Sequence, residues 1–327
     1  MKVCIYGAGA IGGVIAARLA SSGVDTSVVA RGAHLAAIRE KGLIFQTPEG
    51  SRAIAITASD VPSELGPQDV VIAAVKAHQL PPIARPMQAL LGPDTAVIYA
   101  LNGIPWWYFH RAGGKWNDRR LERLDPGGVL WNEVGVDRTI GCVVNLPAAV
   151  TAPGVVHWEG GNNRLALGEL DDSQSPRLLA IADALRAAGM NIDTHRPIRF
   201  EVWNKLALII VASPLAILMN MPPGAGMSDP VLREAARKLW TEANAIAAAY
   251  GFELDPDIDR RLDGWSRADS HRPSILQDFD SGRRIEIDAQ IVAPTELAHA
   301  AGVPVPTLDL FAALMRARAR SAGLYDG

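Results

Sequence analysis

Cysteine is scarce in this 327-residue chain, with only Cys4 and Cys142 present. Both fall in runs expected to be buried strands and neither has metal-ligand spacing, so they read as core residues of a reducing compartment. A charge excess of one sign is also missing. Lys and Arg number 32 against 35 Asp and Glu, the net charge is −3, and no Lys/Arg tract occurs, which argues against a nucleic-acid partner. The longest apolar stretch, Leu206 to Met219, is shorter than the ~20 residues of a membrane span and is interrupted by Ser213-Pro214, so no membrane association is expected. The first residues offer one lysine and then a glycine turn, without the apolar region and cleavage site of a secretory signal. A cytoplasmic protein is the expectation. What remains is a hydrophobic fraction of 49% with 20% charged residues. That is the composition of a soluble globular protein, at a length that allows two domains, each with its own core.

The most informative segment comes first. Lys2 to Tyr6 reads as a short buried strand; Gly7-Ala8-Gly9-Ala10-Ile11-Gly12 follows, and an Ala-rich apolar stretch follows that. In this order Gly7 permits a tight turn, Gly9 lets the backbone approach a phosphate, and Gly12 allows a helix to pack closely on the strand. The helix N-terminus adds free N–H groups and positive dipole, so the six residues are candidates for binding a dinucleotide pyrophosphate. A second strand, Thr26 to Ala30, ends where an NAD site would usually carry Asp or Glu for the ribose hydroxyls. The chain places Arg31 there. A guanidinium pairs with a 2′-phosphate, and no carboxylate repels it, so NADP(H) is favoured over NAD(H).

Short Val/Ile-rich runs continue at 43–47, 53–57, 70–75, 96–101, 140–144, 155–158 and 165–167. They are interspersed with helical patterns such as Ile11–Ser22 and His34–Lys41. This predicts an α/β fold, a doubly wound Rossmann-type sheet with antiparallel strands added at its far side. Ligands bind beyond the carboxyl ends of central strands in such sheets, and Gly7, Lys76 and Asn102 stand at three such ends. Beyond about Pro197 strand signals vanish. Helices are expected over Phe200–Leu218, after a cap at Ser228 or Asp229 and ending before Gly251, and over Pro273–Asp280, Ile285–Ala301 and Thr307–Ala322. The domain division expected is therefore 1–198, dinucleotide-binding, and 199–327, all-α. Residues 104 to 128 read as a long loop, in which Trp106-Trp107-Tyr108 is either a lid over an apolar substrate tail or a buried anchor.

Lys205 lies just inside a strongly apolar helix. Facing a cleft, it could donate a proton to a carbonyl oxygen as hydride arrives. The segment from Arg272 to Asp288 offers Ser274 near a helix start, suited to a substrate carboxylate, and Glu286 after a glycine turn, suited to a hydroxyl.

Taken in order, GAGAIGG (7–13), Arg31, VKAHQ (75–79), LNG (101–103), VWNKLA (202–207) and PSILQD followed by GRRIEID resemble the ketopantoate reductase (2-dehydropantoate 2-reductase) family across essentially the whole chain. The resemblance implies NADPH-dependent reduction of a 2-oxo acid to a 2-hydroxy acid. It makes Lys205 the general acid and Glu286 the carboxylate contacting cofactor and substrate hydroxyl. Lys76 and Asn102 would lie beside the nicotinamide, Asn102 also reaching the substrate. Ser274 would hold the substrate carboxylate, and Arg31 the 2′-phosphate. A homodimer formed through the helical domain is implied by the same analogy.

The pattern departs from the family where ketopantoate is bound. The family's lysine is followed, four and eight residues on, by asparagines on the same helix face. Here that face reads Lys205, Ile209, Ser213, and a third asparagine position aligns with Pro223. Polar recognition is reduced, so a substrate more apolar than ketopantoate is expected. Two other readings stay open: an NAD-dependent 2-hydroxy acid dehydrogenase, and a catalytically silent NADP-binding regulator.

Overall fold

The computed structural model describes residues 1–267 and 272–327. The described chain forms two compact units, Met1–Leu101 with Trp106–Glu201, and Asn102–Pro105 with Val202–Gly327.

In the first unit the strands are β1 (Lys2–Tyr6), β2 (Asp25–Val29), β3 (Leu43–Thr47), β4 (Gly50–Ile54), β5 (Thr57–Ser59), β6 (Gln68–Ala73), β7 (Leu91–Tyr99), β8 (Thr139–Asn145), β9 (Ala148–Ala152), β10 (Val155–Trp158), β11 (Arg164–Gly168) and β12 (Asn191–Asp193). Its helices are α1 (Ala10–Ser21), α2 (Gly32–Lys41), α3 (Leu80–Met87) and α4 (Pro176–Ala187). An eight-stranded sheet runs in the order β12-β11-β8-β7-β6-β1-β2-β5. Its pairings are parallel except β8 with β11, so the antiparallel addition falls on the far side, as expected. The chain goes from β1 through α1 to β2 on one side, while β6 and β7 lie on the other. The turn after β1 therefore sits at the topological switch point, where such sheets take their ligands.

Central strands are apolar throughout because both faces are covered: Cys4, Ile5, Val71, Val97 and Ile98 are fully buried. Burial pushes the Cys4 thiol up to about 11, which leaves it un-ionised and inert at neutral pH. A second sheet, β4-β3-β10-β9, lies against α1. A Cβ on Gly13 would come within 2.4 Å of Val156 Cγ1 in β10.

Several elements differ from the sequence expectation. The run 53–57, expected as one strand, divides. Ile54 closes β4 in the small sheet, and Thr57 opens β5 beside β2 in the large one. Alternation gives a strand's faces but not its partner, so it cannot show a change of sheet. β9, β12, α3 and α4 were not anticipated. β12 has only three residues, and α3 carries Pro81, Pro82 and Pro86. Two of those prolines fall in the first turn, where no helical N–H is needed.

The second unit is helical: α5 (Ile198–Met219, its first four residues counted with the first unit), α6 (Pro230–Ala249), α7 (Ile258–Arg267), α8 (Ser274–Asp280), α9 (Ala293–Ala301) and α10 (Pro306–Ser321). Asp229 caps α6, its Oδ1 accepting the N–H groups of Val231 and Leu232 at 2.8 and 3.0 Å. α5 runs through Ser213-Pro214 without a break. By length and composition it could cross a membrane, and 67% of its apolar window is buried within the chain. Trp203, Ile210, Leu215 and Ile217 lie in the core, and Trp203 stacks on Tyr250 with ring centroids 5.8 Å apart. The helix expected from 285 begins only at Asp288, as a π turn (Asp288–Val292) leading into α9.

Candidate active site

The glycine turn has the shape its sequence requires. Gly7 adopts φ +102°, and a Cβ there would lie 2.9 Å from Ala74 O. Its N–H donates to Val29 C=O at 2.9 Å, tying the turn to β2. Gly12 is tighter still, since a Cβ would fall 2.0 Å from Gly7 O. Gly9 differs: it is the N-cap of α1, no side chain caps it, and a Cβ on it would meet nothing within 4 Å. Two glycines are thus demanded by packing, and the third leaves open the approach a phosphate needs. Ala8 is buried while Ala10 and Ile11 are half-buried in the first turn of α1.

Arg31 follows β2 as the N-cap residue of α2. It is exposed, and its charge opposes the upward push that burial gives the Tyr6 phenol at the end of β1. Lys76 lies just past β6, half-buried. Its backbone N–H is held by Gln79 Oε1 at 3.1 Å, and the Gln79 N–H returns to Lys76 C=O at 2.8 Å. The VKAHQ motif is therefore a closed turn that fixes the lysine's backbone.

In the second unit Lys205, half-buried on α5, places Nζ 2.6 Å from Asn102 Oδ1. Asn102 is held there by its neighbours. Ile104 N–H donates to Ala289 C=O at 2.8 Å, and a Cβ on Gly103 would lie 2.3 Å from that same oxygen. The Ala289 carbonyl belongs to the π turn, whose irregular ladder leaves it available to another segment. Glu286, 7% exposed, lies two residues before that turn. The flanking backbone is braced by the chain end: Ile285 N–H donates to Leu324 C=O at 3.2 Å, and the Tyr325 hydroxyl to Asp288 Oδ1 at 2.7 Å. Ser274 opens α8 and is exposed. Ile209 is half-buried. Ser213 is 3% exposed and spends its hydroxyl on Gln290 Oε1 at 3.2 Å.

Gln290 was not singled out in the sequence; its only signal is a polar residue between apolar ones in a run read as helix. Glu201, four residues before Lys205, serves the fold. Both its oxygens bind Arg164, at 3.0 and 2.9 Å. The Trp106–Tyr108 run is an anchor and not a lid: its three side chains are 1–2% exposed. Trp106 meets Tyr99 edge-on at 5.4 Å.

A doubly wound sheet with a tight glycine turn at its switch point, followed by a helical unit carrying a part-buried lysine, is the architecture of a nicotinamide-dependent oxidoreductase. Comparison with known proteins agrees. Residues 3–106 match the family model for ketopantoate reductase PanE/ApbA, and residues 198–319 match that for its C-terminal part. A 2-dehydropantoate 2-reductase from Mesorhizobium japonicum is 41% identical over the full length of both chains. A crystal structure from Ralstonia solanacearum MolK2, assigned as a ketopantoate reductase, superposes with TM-score 0.92 at 34% identity over 99% of each chain. A PanE/ApbA family ketopantoate reductase from Ralstonia eutropha JMP134 superposes with TM-score 0.84 at 25% identity, over 99% of this chain and 100% of that one. The chain belongs to the ketopantoate reductase family. Its activity is that class's NADP-dependent reduction of a 2-oxo acid to a 2-hydroxy acid.

Proposed function

We propose that this enzyme reduces a 2-oxo acid more apolar than ketopantoate, with Lys205 as the proton donor. The observation that carries the chemistry is the Lys205–Asn102 pair. The carboxamide oxygen, 2.6 Å from Nζ, aims the ammonium from a segment itself pinned to the π turn. NADPH, when bound, supplies the hydride. Lys205 gives its proton to the carbonyl oxygen on which negative charge develops. Glu286 receives the substrate hydroxyl and a cofactor hydroxyl, and Ser274 holds the substrate carboxylate. Residues 1–198 would carry the cofactor through Gly7, Ala8, Gly9, Ala10, Ile11, Gly12, Arg31 and Lys76, and residues 199–327 the substrate, with Asn102 and Glu286 contacting both.

The substrate assignment rests on the helix face below Lys205. Ile209 offers no hydrogen bond, and the Ser213 hydroxyl is already engaged by Gln290. A site built to bond a hydroxyl rejects analogues without it by roughly 10⁴–10⁵, and such discrimination needs donors that this face lacks. We therefore expect kcat/KM for an enlarged apolar 2-oxo acid to equal or exceed that for ketopantoate in an NADPH-oxidation panel. A preference for ketopantoate above ~10²-fold overturns the substrate assignment.

The cofactor residues give a separate test. Replacing Arg31 by Ala should raise KM for NADPH by about 10- to 100-fold, the loss of a charge-assisted phosphate contact, while KM for NADH changes little. Equal effects on both cofactors would remove Arg31 from the 2′-phosphate. A cytoplasmic setting fits the two free, buried cysteines. Homodimer formation fits the exposed Val231 and Leu310 of the helical unit.

A further inference from the structure

The Ala8 carbonyl lies in the middle of the glycine turn and is left out of the helical ladder that follows it. The first bond of that ladder runs from Gly13 N–H to Gly9 C=O at 2.7 Å. The Ala8 oxygen instead meets His34 Nε2, from α2, at 2.7 Å. The other ring nitrogen, Nδ1, meets the N–H of Gly154 at 2.9 Å. A backbone amide can only donate, so Nδ1 is the acceptor and the ring proton sits on Nε2, donated to Ala8. Both nitrogens of a neutral imidazole are thus assigned by their partners.

The far end of this bridge is firmly seated. Gly154, in the turn between β9 and β10, accepts from Ile44 N–H at 2.9 Å. It has φ +74°, and a Cβ there would lie 2.8 Å from Ala37 Cβ on α2. The turn therefore rests flush on the helix that carries His34, and the imidazole has little room to shift.

We propose that His34 is a positioning residue for the dinucleotide, setting the Ala8–Gly9 peptide plane so that the Gly9 N–H is presented to the pyrophosphate. In a trans peptide the carbonyl and the following N–H point in opposite directions. Drawing the Ala8 oxygen toward α2 turns the Gly9 N–H away from it. That N–H has no partner among the described residues, and space beside Gly9 is open. Without the imidazole the plane is free to rotate, because a glycine follows it. The cradle would then order itself only as the cofactor arrives, at a cost in affinity.

The inference rests on the reading of the glycine turn as the NADP(H) phosphate site, and the test separates the two. Three variants are compared with the unsubstituted enzyme: His34→Leu, His34→Gln and His34→Asn. A glutamine amide nitrogen reaches the place of Nε2 and keeps the Ala8 bond; asparagine can reach only the place of Nδ1 and keeps the Gly154 bond. NADPH Kd should rise ~5- to 10-fold in the Leu and Asn variants, the worth of one hydrogen bond, and stay within ~2-fold in the Gln variant. KM for NADPH should rise by more than kcat falls. Binding of 2′-AMP, which has no pyrophosphate, should be unaffected in all three. A general loosening of the fold would weaken 2′-AMP and NADPH together and treat Gln and Asn alike, and that result overturns the proposal. So does NADPH affinity unchanged in all three variants, which leaves the cofactor site itself intact. Failure of the unsubstituted enzyme to bind NADPH would instead remove the reading on which the inference rests.

Discussion

Replacing Lys205 by Ala should lower kcat with any accepted 2-oxo acid by roughly 10²- to 10⁴-fold, the contribution of a positioned general acid, with NADPH Kd little changed. The expectation follows from where the ammonium is held. Lys205 is half-buried on an otherwise apolar helix, and Asn102 Oδ1 accepts one of its N–H groups at 2.6 Å, which fixes where the ammonium points. Because the loss falls on the proton and not on cofactor binding, single-turnover hydride transfer should slow by the same factor as kcat. Turnover unaffected by the substitution would sink the assignment of Lys205 as the general acid. Asn102→Ala serves as the companion: it leaves the ammonium without its guide and should cost less than loss of the lysine itself.

The second large effect concerns stability. Arg199→Leu should destabilise the protein by about 3–5 kcal/mol, the range for removing one partner of a buried charged network. Arg199 is 6% exposed. Its Nε donates to Tyr108 C=O at 2.8 Å and its Nη1 to Leu170 C=O at 2.7 Å, and its Nη2 donates to His110 C=O. Burial lowers the guanidinium pKa from its ordinary value, with Asp172 and Asp171 opposing that shift. One side chain therefore satisfies three buried backbone carbonyls, two in the loop at 108–110 and one at 170. Leucine would fill the volume and leave those carbonyls unsatisfied. Chemical denaturation measures the loss, and a change below ~1 kcal/mol would show that water or a rearranged loop replaces the guanidinium.

Those two residues show how legibility varied along the chain. Lys205 was readable because an ammonium inside an apolar helix calls for a reason, and the surrounding motif supplied one. Arg199, six residues earlier, carried no signal, because its partners are backbone carbonyls at residues 108, 110 and 170. The aromatic run at 106–108 was readable as important but not as core, since a buried anchor and a lid have the same composition. The π turn at 288–292 and its hold on Ile104 were invisible for a related reason. Helical periodicity does not report which carbonyl will be released from the ladder.

The sequence by itself determined the local chemistry: a strand, a glycine turn and a helix in dinucleotide order, an arginine where a carboxylate would otherwise stand, and a lysine in an apolar helix with isoleucine and serine below it. Each follows from residue type and spacing over a few turns of chain. Tertiary structure alone decided which distant groups meet. It set Asn102 against Lys205 across 103 residues, Gln290 against Ser213 across 77, and Gly154 against His34 across 120. A contact of that kind is fixed by how sheets and helices stack to bury apolar surface, which no local pattern records.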